Sequence, residues 1–501
     1  MKKLILILAF SGITHLVAFS QGCLPNGITF SSQPQIDNFQ TDYPNCHIIE
    51  GSVTIFGNSI SNLNGLSVLT TINGDLNIGT GSISNPSLIN LNGLDSLSYV
   101  GGRLNIYGNE FLESLTGLSN IDSIGGTLYI TANPNLIDLN GFESLEFIQG
   151  DFVVQSNDNI ETLVGLNNLN SINGVLDIRI NPKLTNLNGL ESVSHLGSSI
   201  IIYMNENLIN CTGLENITTI NGSLTFYSNY AMTNLAGLDN VVSISNSVSI
   251  NNHFALSDLA ALGNLTTIGG QLSFENNYLL PNMNGLEKLS SIGGSLIIYS
   301  NNILSTLSGL DSLTAIGGKL DISSNNSLTN LLALNSLTSI DGELAVYHNN
   351  KLMSLEGLNN IGEFSIENLE IFANSSLSTC HVESICNYLA SPNGEILISG
   401  NASGCNSREE VEEMCMVVND EYPKNENSFT FYPNPARNHI FLQNTASEHV
   451  EILIYNELGN ILLQKFGIIH NVDISNLKSG FYIVELLTKE SHYKHKLIVK
   501  K

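Results

Sequence analysis

Residues Ile316 to Asn326 read IGGKLDISSNN, and the fold depends on whether this stretch is a site or a scaffold. Two glycines, a lysine, an aspartate and asparagines between apolar residues would suit a phosphate-cradling loop or an oxygen-rich cation loop. Its siblings decide otherwise. IGGTLYITANPN starts at Ile124, INGVLDIRINPK at Ile172, INGSLTFYSNYA at Ile220 and IGGSLIIYSNNI at Ile292. Where one copy has Lys319, the others have Thr127, Val175, Ser223 or Ser295, so no phosphate-binding lysine is required. A loop in a dozen copies is structural.

Working outward, a Gly-Leu or Gly-Phe step recurs from Gly65 to Gly357. From Gly93 onward it does so at 24 residues or a multiple of 24, with Ala261 and Ala333 in two otherwise intact units. That gives about thirteen coils written L-x-I-x-x-N-x-x-L-x-x-L-x-G-L-x-x-L-x-x-I-x-G-x. L-x-I has the strand period of two, so both apolar side chains share a face. The remainder spaces its apolar residues by about three, which suits turns and bent segments. A unit this short encloses no core alone, so successive units must stack around a shared leucine and isoleucine interior. At roughly 4.8 Å per rung, thirteen coils make a rod on the order of 60 Å long. The expected fold class is therefore mainly β, a β-solenoid of leucine-rich coils.

Three columns run along such a rod. Asparagine occupies one phase from Asn109 to Asn349, with His253 the single exception. An amide both donates and accepts, so a buried column can satisfy turn backbone groups; metal ligation is the poorer alternative, since carboxylates are absent there. Acids follow the Gly-Leu step at Asp95, Glu143, Glu191, Glu215, Asp239, Glu287 and Asp311. They fit turn capping by a carboxylate, with divalent-cation bridging as the second reading. The third column is the outward position after the isoleucine of L-x-I. It collects Tyr107, Arg179, Tyr203, Tyr227, Tyr299 and Tyr347, with Tyr129 two positions earlier on its own rung. Packing does not constrain these positions, so they are the candidate binding residues, although strands favour aromatics in any case.

The chain has 501 residues and a net charge of -27, and the charge is uneven. Residues 21–428 carry 8 basic and 39 acidic residues, whereas the last 73 are slightly basic. Such a surface repels a phosphate backbone, which excludes nucleic acid as a partner. Residues 1–20, MKKLILILAFSGITHLVAFS, read as a cleaved secretory signal, with a lipoprotein anchor on Cys23 the less favoured reading, and no later segment is apolar enough to span a membrane. Export places the cysteines in an oxidising compartment. Cys23 and Cys46 bracket an N-terminal cap (21–50) ahead of the solenoid (51–379), and Cys380, Cys386, Cys405 and Cys415 lie in a C-terminal cap (380–415). The last four allow three connectivities, among which Cys380–Cys405 with Cys386–Cys415 is preferred. Cys211 replaces a core leucine and reads as a buried free thiol. Ser407 with Glu410 reads as a capping box.

The L-x-x-I-x-G-x-L-x-I-x-x-N phrasing, opened by CHIIEGSVTI from Cys46, resembles the receptor L domain, which implies a right-handed β-helical solenoid. After a polar linker (416–428), the tail (429–501) alternates apolar residues with Gly and Asn turns, as a small antiparallel sandwich does. Residue for residue it resembles the type A C-terminal sorting domain of type IX secretion. Tyr432-Pro433-Asn434-Pro435 matches its entry motif, Gly459 its mid-domain turn, Gly480 and Tyr482 its late Gly-x-Tyr, and Lys500 and Lys501 its basic end. The resemblance implies the type IX machinery as a partner and a secreted or outer-surface location.

No H-E-x-x-H, C-x-x-C or G-x-S-x-G motif is present, and no carboxylate pair stands out for glycoside chemistry. No cofactor, no metal and no catalytic residue is expected. A surface module binding a glycan or a protein is the first functional reading, and a passive spacer is the second.

Overall fold

The structure is a computed structural model that describes residues 22–81, 84–420, 430–443, 450–456, 460–487 and 492–501. The expected signal segment and most of the expected linker lie outside these residues. The chain divides into two compact units after Val411.

The first unit is a parallel β-solenoid. Its long ladder has sixteen strands in chain order, from Ile28–Phe30 to Ile396–Ser399. Partners lie one repeat apart, as in Leu176↔Ile200 and Arg179↔Tyr203. The register is fixed because a one-residue slip would turn every leucine and isoleucine outward. The ladder corresponds to about fifteen turns, more than the thirteen coils counted from the glycine step. The additional rungs include one from each segment expected to serve only as a cap, Ile28–Phe30 and Ile396–Ser399. Neither carries the repeat's glycine. Each hydrogen-bonds to one neighbouring coil and ends the ladder.

A second parallel ladder runs along another side of the solenoid. Two-residue strands built on the Ile of I-x-G stack as seven, Ile48–Ile49 to His195–Leu196, and then as six, Thr219–Ile220 to Ser339–Ile340. The sequence predicts only bends there. Between the ladders each coil fills the shared core. In the coil from Leu176, the residues Leu176, Ile178, Leu184, Leu187, Leu190, Val193 and Leu196 are at most 2% exposed.

The repeat glycine is required by both space and backbone. From Gly93 to Gly357 the Gly-Leu glycines have φ between +104° and +122°, a region that side chains avoid. A Cβ there would lie 2.0–2.3 Å from a carbonyl oxygen of the preceding coil. At Ala261 and Ala333 the chain instead makes short 3-10 turns, Ala260–Leu262 and Leu332–Leu334, which explains why alanine is tolerated in those two coils.

From Leu128–Thr131 to Ile366–Phe372 each long rung ends in a left-handed residue followed by a buried asparagine, or by His253 in one coil. From Ala132 to Ala373 eleven non-glycine residues, Ile180 among them, hold φ between +53° and +62°. The asparagine then links two coils. Asn133 Nδ2 donates to the Ile106 carbonyl at 2.9 Å, and its Oδ1 accepts the Asn109 N–H at 3.1 Å. The ladder extends beyond the expected column, to Asn85 at one end and to Asn374 and Asn401 at the other.

Cys23–Cys46 and Cys380–Cys405 are disulfides with Cα atoms 5.7 and 5.6 Å apart. Cys386 and Cys415 are also disulfide-bonded, and Cys211 is free and buried. Burial, with Glu215 adding to it, pushes the Cys211 thiol well above its ordinary pKa. Ser407 Oγ accepts the Glu410 N–H at 3.2 Å and starts the helix Arg408–Asp420. The Glu410 carboxylate reaches back to the N–H groups of Gly404 and Asn406. This helix runs five residues past Cys415, so 416–420 are helical and not the linker expected there. No helix among the described residues is long and apolar enough to cross a membrane.

The second unit contains two antiparallel sheets of three and four strands. Ile440, Leu442 and Val472 from one sheet share a core with Ile452, Ile454, Val484, Leu486 and Leu497 from the other. This is the expected small sandwich. The hairpin predicted around Gly459 pairs Val450–Tyr455 with Ile461–Gly467, although Gly459 itself lies outside the described residues.

Candidate binding face

The long ladder points alternate residues into the core and the others outward, so a four-residue rung has two outward-pointing positions, some of them, such as Asp321 and Ser323, covered by their neighbours. Parallel in-register pairing places equivalent residues of neighbouring coils side by side. Arg179, Tyr203 and Tyr227 therefore sit on three successive rungs, as the repeat phase predicts. The Tyr203 and Tyr227 rings stack with centroids 5.3 Å apart and planes 13° apart. Their facing surfaces are thus occupied by each other. Outward they offer ring edges and hydroxyls, and not the flat platform a row of separate rings would give. Arg179 is tied to Asp177 on its own rung by an ion pair.

The other candidates form separate groups. Arg103 lies over the Tyr129 ring, its guanidinium carbon 5.4 Å from the centroid. Tyr107 and Tyr129 line one groove together with Arg103, Asn105, Thr131 and Gln155. Tyr299 is 39% exposed, and its rung partners are Glu275 on one side and the buried Ser323 on the other. Tyr347 stacks on Phe372 with centroids 4.7 Å apart. Beside that stack Lys319 bridges Asp321 and Glu343, each at 3.1 Å. Burial alone would lower the Lys319 pKa, but the Glu343 and Asp321 carboxylates hold it above its ordinary value. Burial, reinforced by Glu343, raises the pKa of Glu370 on the next rung.

One aromatic column escaped the sequence reading. Tyr230, Phe254 and Tyr278 follow the asparagine position on successive coils. The first two stack at 4.6 Å and the second pair is tilted at 5.3 Å. The spacing of 24 residues was visible, but the position lies in a turn and not on a strand.

The acidic column has a structural role. The carboxylates of Asp95, Glu143, Glu191, Glu215, Asp239, Glu287 and Asp311 each accept the N–H of the glycine two residues earlier, at 2.8–3.0 Å. Among the described residues no group of three or more His, Cys, Asp or Glu could hold a metal ion.

In the tail, the entry motif meets the C-terminal strand. Asn434 Oδ1 accepts the Ile498 N–H at 2.8 Å, and the Lys500 N–H bonds the Ala436 carbonyl at 2.9 Å. Tyr482 donates to the Lys478 carbonyl and Lys501 Nζ to the Ser475 carbonyl. The peptide bonds preceding Pro433 and Pro435 are cis.

Residues 430–500 match the family model of the secretion system C-terminal sorting domain. The chain carries a type IX export tail. That tail implies engagement of the type IX secretion machinery and a secreted or outer-surface location. Residues 98–184, which include the Arg103 groove, match the receptor L domain family. No curated protein matches the chain.

Proposed function

We propose that the solenoid is a non-enzymatic binding module displayed or released outside the cell, its ligand a glycan or a protein segment. The ligand lies along the outward face of the long ladder, centred on Arg179, Tyr203 and Tyr227. One observation carries this reading: inward positions are uniformly apolar because packing demands it, while the unconstrained outward positions collect aromatics on successive rungs. The acidic column supports a non-enzymatic role, because its seven carboxylates are engaged by backbone N–H groups.

The second reading is a passive surface spacer. The self-stacked Tyr203–Tyr227 pair and the Arg179–Asp177 ion pair favour it, since groups that satisfy one another need no ligand. Probing the mature chain against glycan and extracellular-protein arrays separates the two. Selective retention of a ligand class supports the module, and a blank array under conditions that retain the folded circular-dichroism spectrum supports the spacer.

A further inference from the structure

A groove on the outward face lies between Arg103, Asn105, Tyr107, Tyr129, Thr131 and Gln155, with a volume of about 310 Å3. That is at the lower end of the range for small-molecule sites. Three basic side chains stand on this face: Arg103, Arg179 and Lys319. Arg179 is paired with Asp177, and Lys319 with Asp321 and Glu343. Arg103 has no ion-pair partner among the described residues. The nearest acid on the adjoining rung, Asp75, uses one carboxylate oxygen to accept the Arg103 backbone N–H at 2.8 Å. The guanidinium is held instead by the Tyr129 ring, an interaction that restrains it without using its N–H donors.

No carboxylate lines the groove. Within a segment carrying 8 basic and 39 acidic residues, Arg103 is the one charged group lining this groove, with the Asp75 carboxylate flanking its backbone. We propose that the groove binds one carboxylate-bearing sugar ring, a uronic acid unit of a glycan. The proposal rests on the outward face being a binding surface and names the ligand class of one site on it. Each lining group has a part. The Arg103 fork takes the carboxylate bidentately. Tyr107 and Tyr129 pack the apolar face of the sugar ring. Asn105, Gln155 and Thr131 exchange hydrogen bonds with its hydroxyls.

The surrounding charge sets the glycan's character. A densely anionic polymer would be repelled by the solenoid as a whole, whereas a single acid is governed by the charges within roughly 8 Å, the screening length at physiological salt. The ligand is therefore a sparsely charged glycan, with acid units separated by neutral ones. The same repulsion disfavours a second copy of this chain in the groove.

The test uses the full secreted chain and a matched pair of probes: a glucuronate-containing oligosaccharide with neutral neighbours, and its methyl ester. The acid should bind about tenfold or more tightly than the ester, the difference expected of a charge-assisted contact, and the preference should shrink in high salt. Arg103→Ala should abolish the preference with an unchanged circular-dichroism spectrum, and Arg103→Lys should keep only part of it. Equal binding of acid and ester, or a preference that survives Arg103→Ala, overturns the proposal. If array ligands of another class still depend on Tyr203 and Tyr227, this site fails alone. If no ligand of any class is retained, the module reading fails with it.

Discussion

Asn205 joins two neighbouring coils at a buried corner: its Nδ2 donates to the Ile178 carbonyl at 2.9 Å, and its Oδ1 accepts the Asn181 N–H at 3.0 Å. All three residues at this corner are sealed from water. Leucine at position 205 would fit the apolar surroundings yet strand both backbone groups. Asn205→Leu should cost about 3 kcal/mol. Urea unfolding followed by circular dichroism is the check.

His253 is the weak rung of that ladder. Its ring bonds the Asn229 carbonyl through Nδ1 at 3.0 Å, while the buried Nε2 has no hydrogen-bond partner. Burial lowers its pKa, although the Asn229 and Phe226 carbonyls oppose the shift. A folded pKa below the unfolded value of 6.5 means that the unfolded chain binds the proton more readily. The stability His253 contributes is present above pH 6.5 and declines as pH falls from there toward the folded pKa. His253→Asn should raise stability at neutral pH by about 1 kcal/mol and flatten the acid slope between pH 7 and 5. Parallel melting curves for the two proteins across that range measure both effects.

Ile180 holds φ at +54°, although it is β-branched and 38% exposed. The left-handed region costs such a residue about 1–2 kcal/mol, and little burial is lost by removing its side chain. Ile180→Gly should therefore stabilise the solenoid by about 1 kcal/mol despite the added chain entropy of glycine, while Ser228→Gly should give less. Chemical denaturation midpoints order the two.

The parts of this fold legible in the sequence were those written as spacing. L-x-I, the asparagine phase and the Gly-Leu step gave the stacked coils, because each is a packing or dihedral demand that recurs every 24 residues. The second ladder was not legible, since strands as short as Ser171–Ile172 have no period to show. The left-handed column was hidden because Ala132, Ser156, Ile180 and Met204 are not residues that announce that conformation. The end rungs Ile28–Phe30 and Ile396–Ser399 depart from the repeat pattern, so only their pairing identifies them. For the site, the sequence placed Arg179, Tyr203 and Tyr227 on neighbouring rungs. It could not tell that the two rings face each other, or that Arg103 stacks on Tyr129.

Export should reside in the sandwich and not in the solenoid. A chain ending at Ser428 is predicted to accumulate in the periplasm of a type IX-secreting host, because it lacks the segment matching the sorting domain. Cell fractionation with surface protease accessibility reads the outcome. Normal surface display of the truncated chain would contradict the assignment.

The claim that the outward face binds a ligand is tested most directly by replacing its central pair. Tyr203→Ala with Tyr227→Ala removes two stacked, solvent-facing rings and leaves the leucine and asparagine columns untouched. The measurement is retention of the ligand identified on the arrays, beside the circular-dichroism spectrum and melting temperature. The account predicts that the double variant keeps its spectrum, melts within a few degrees of the parent and binds at least about tenfold more weakly. Undiminished binding by a variant that is still folded would contradict it.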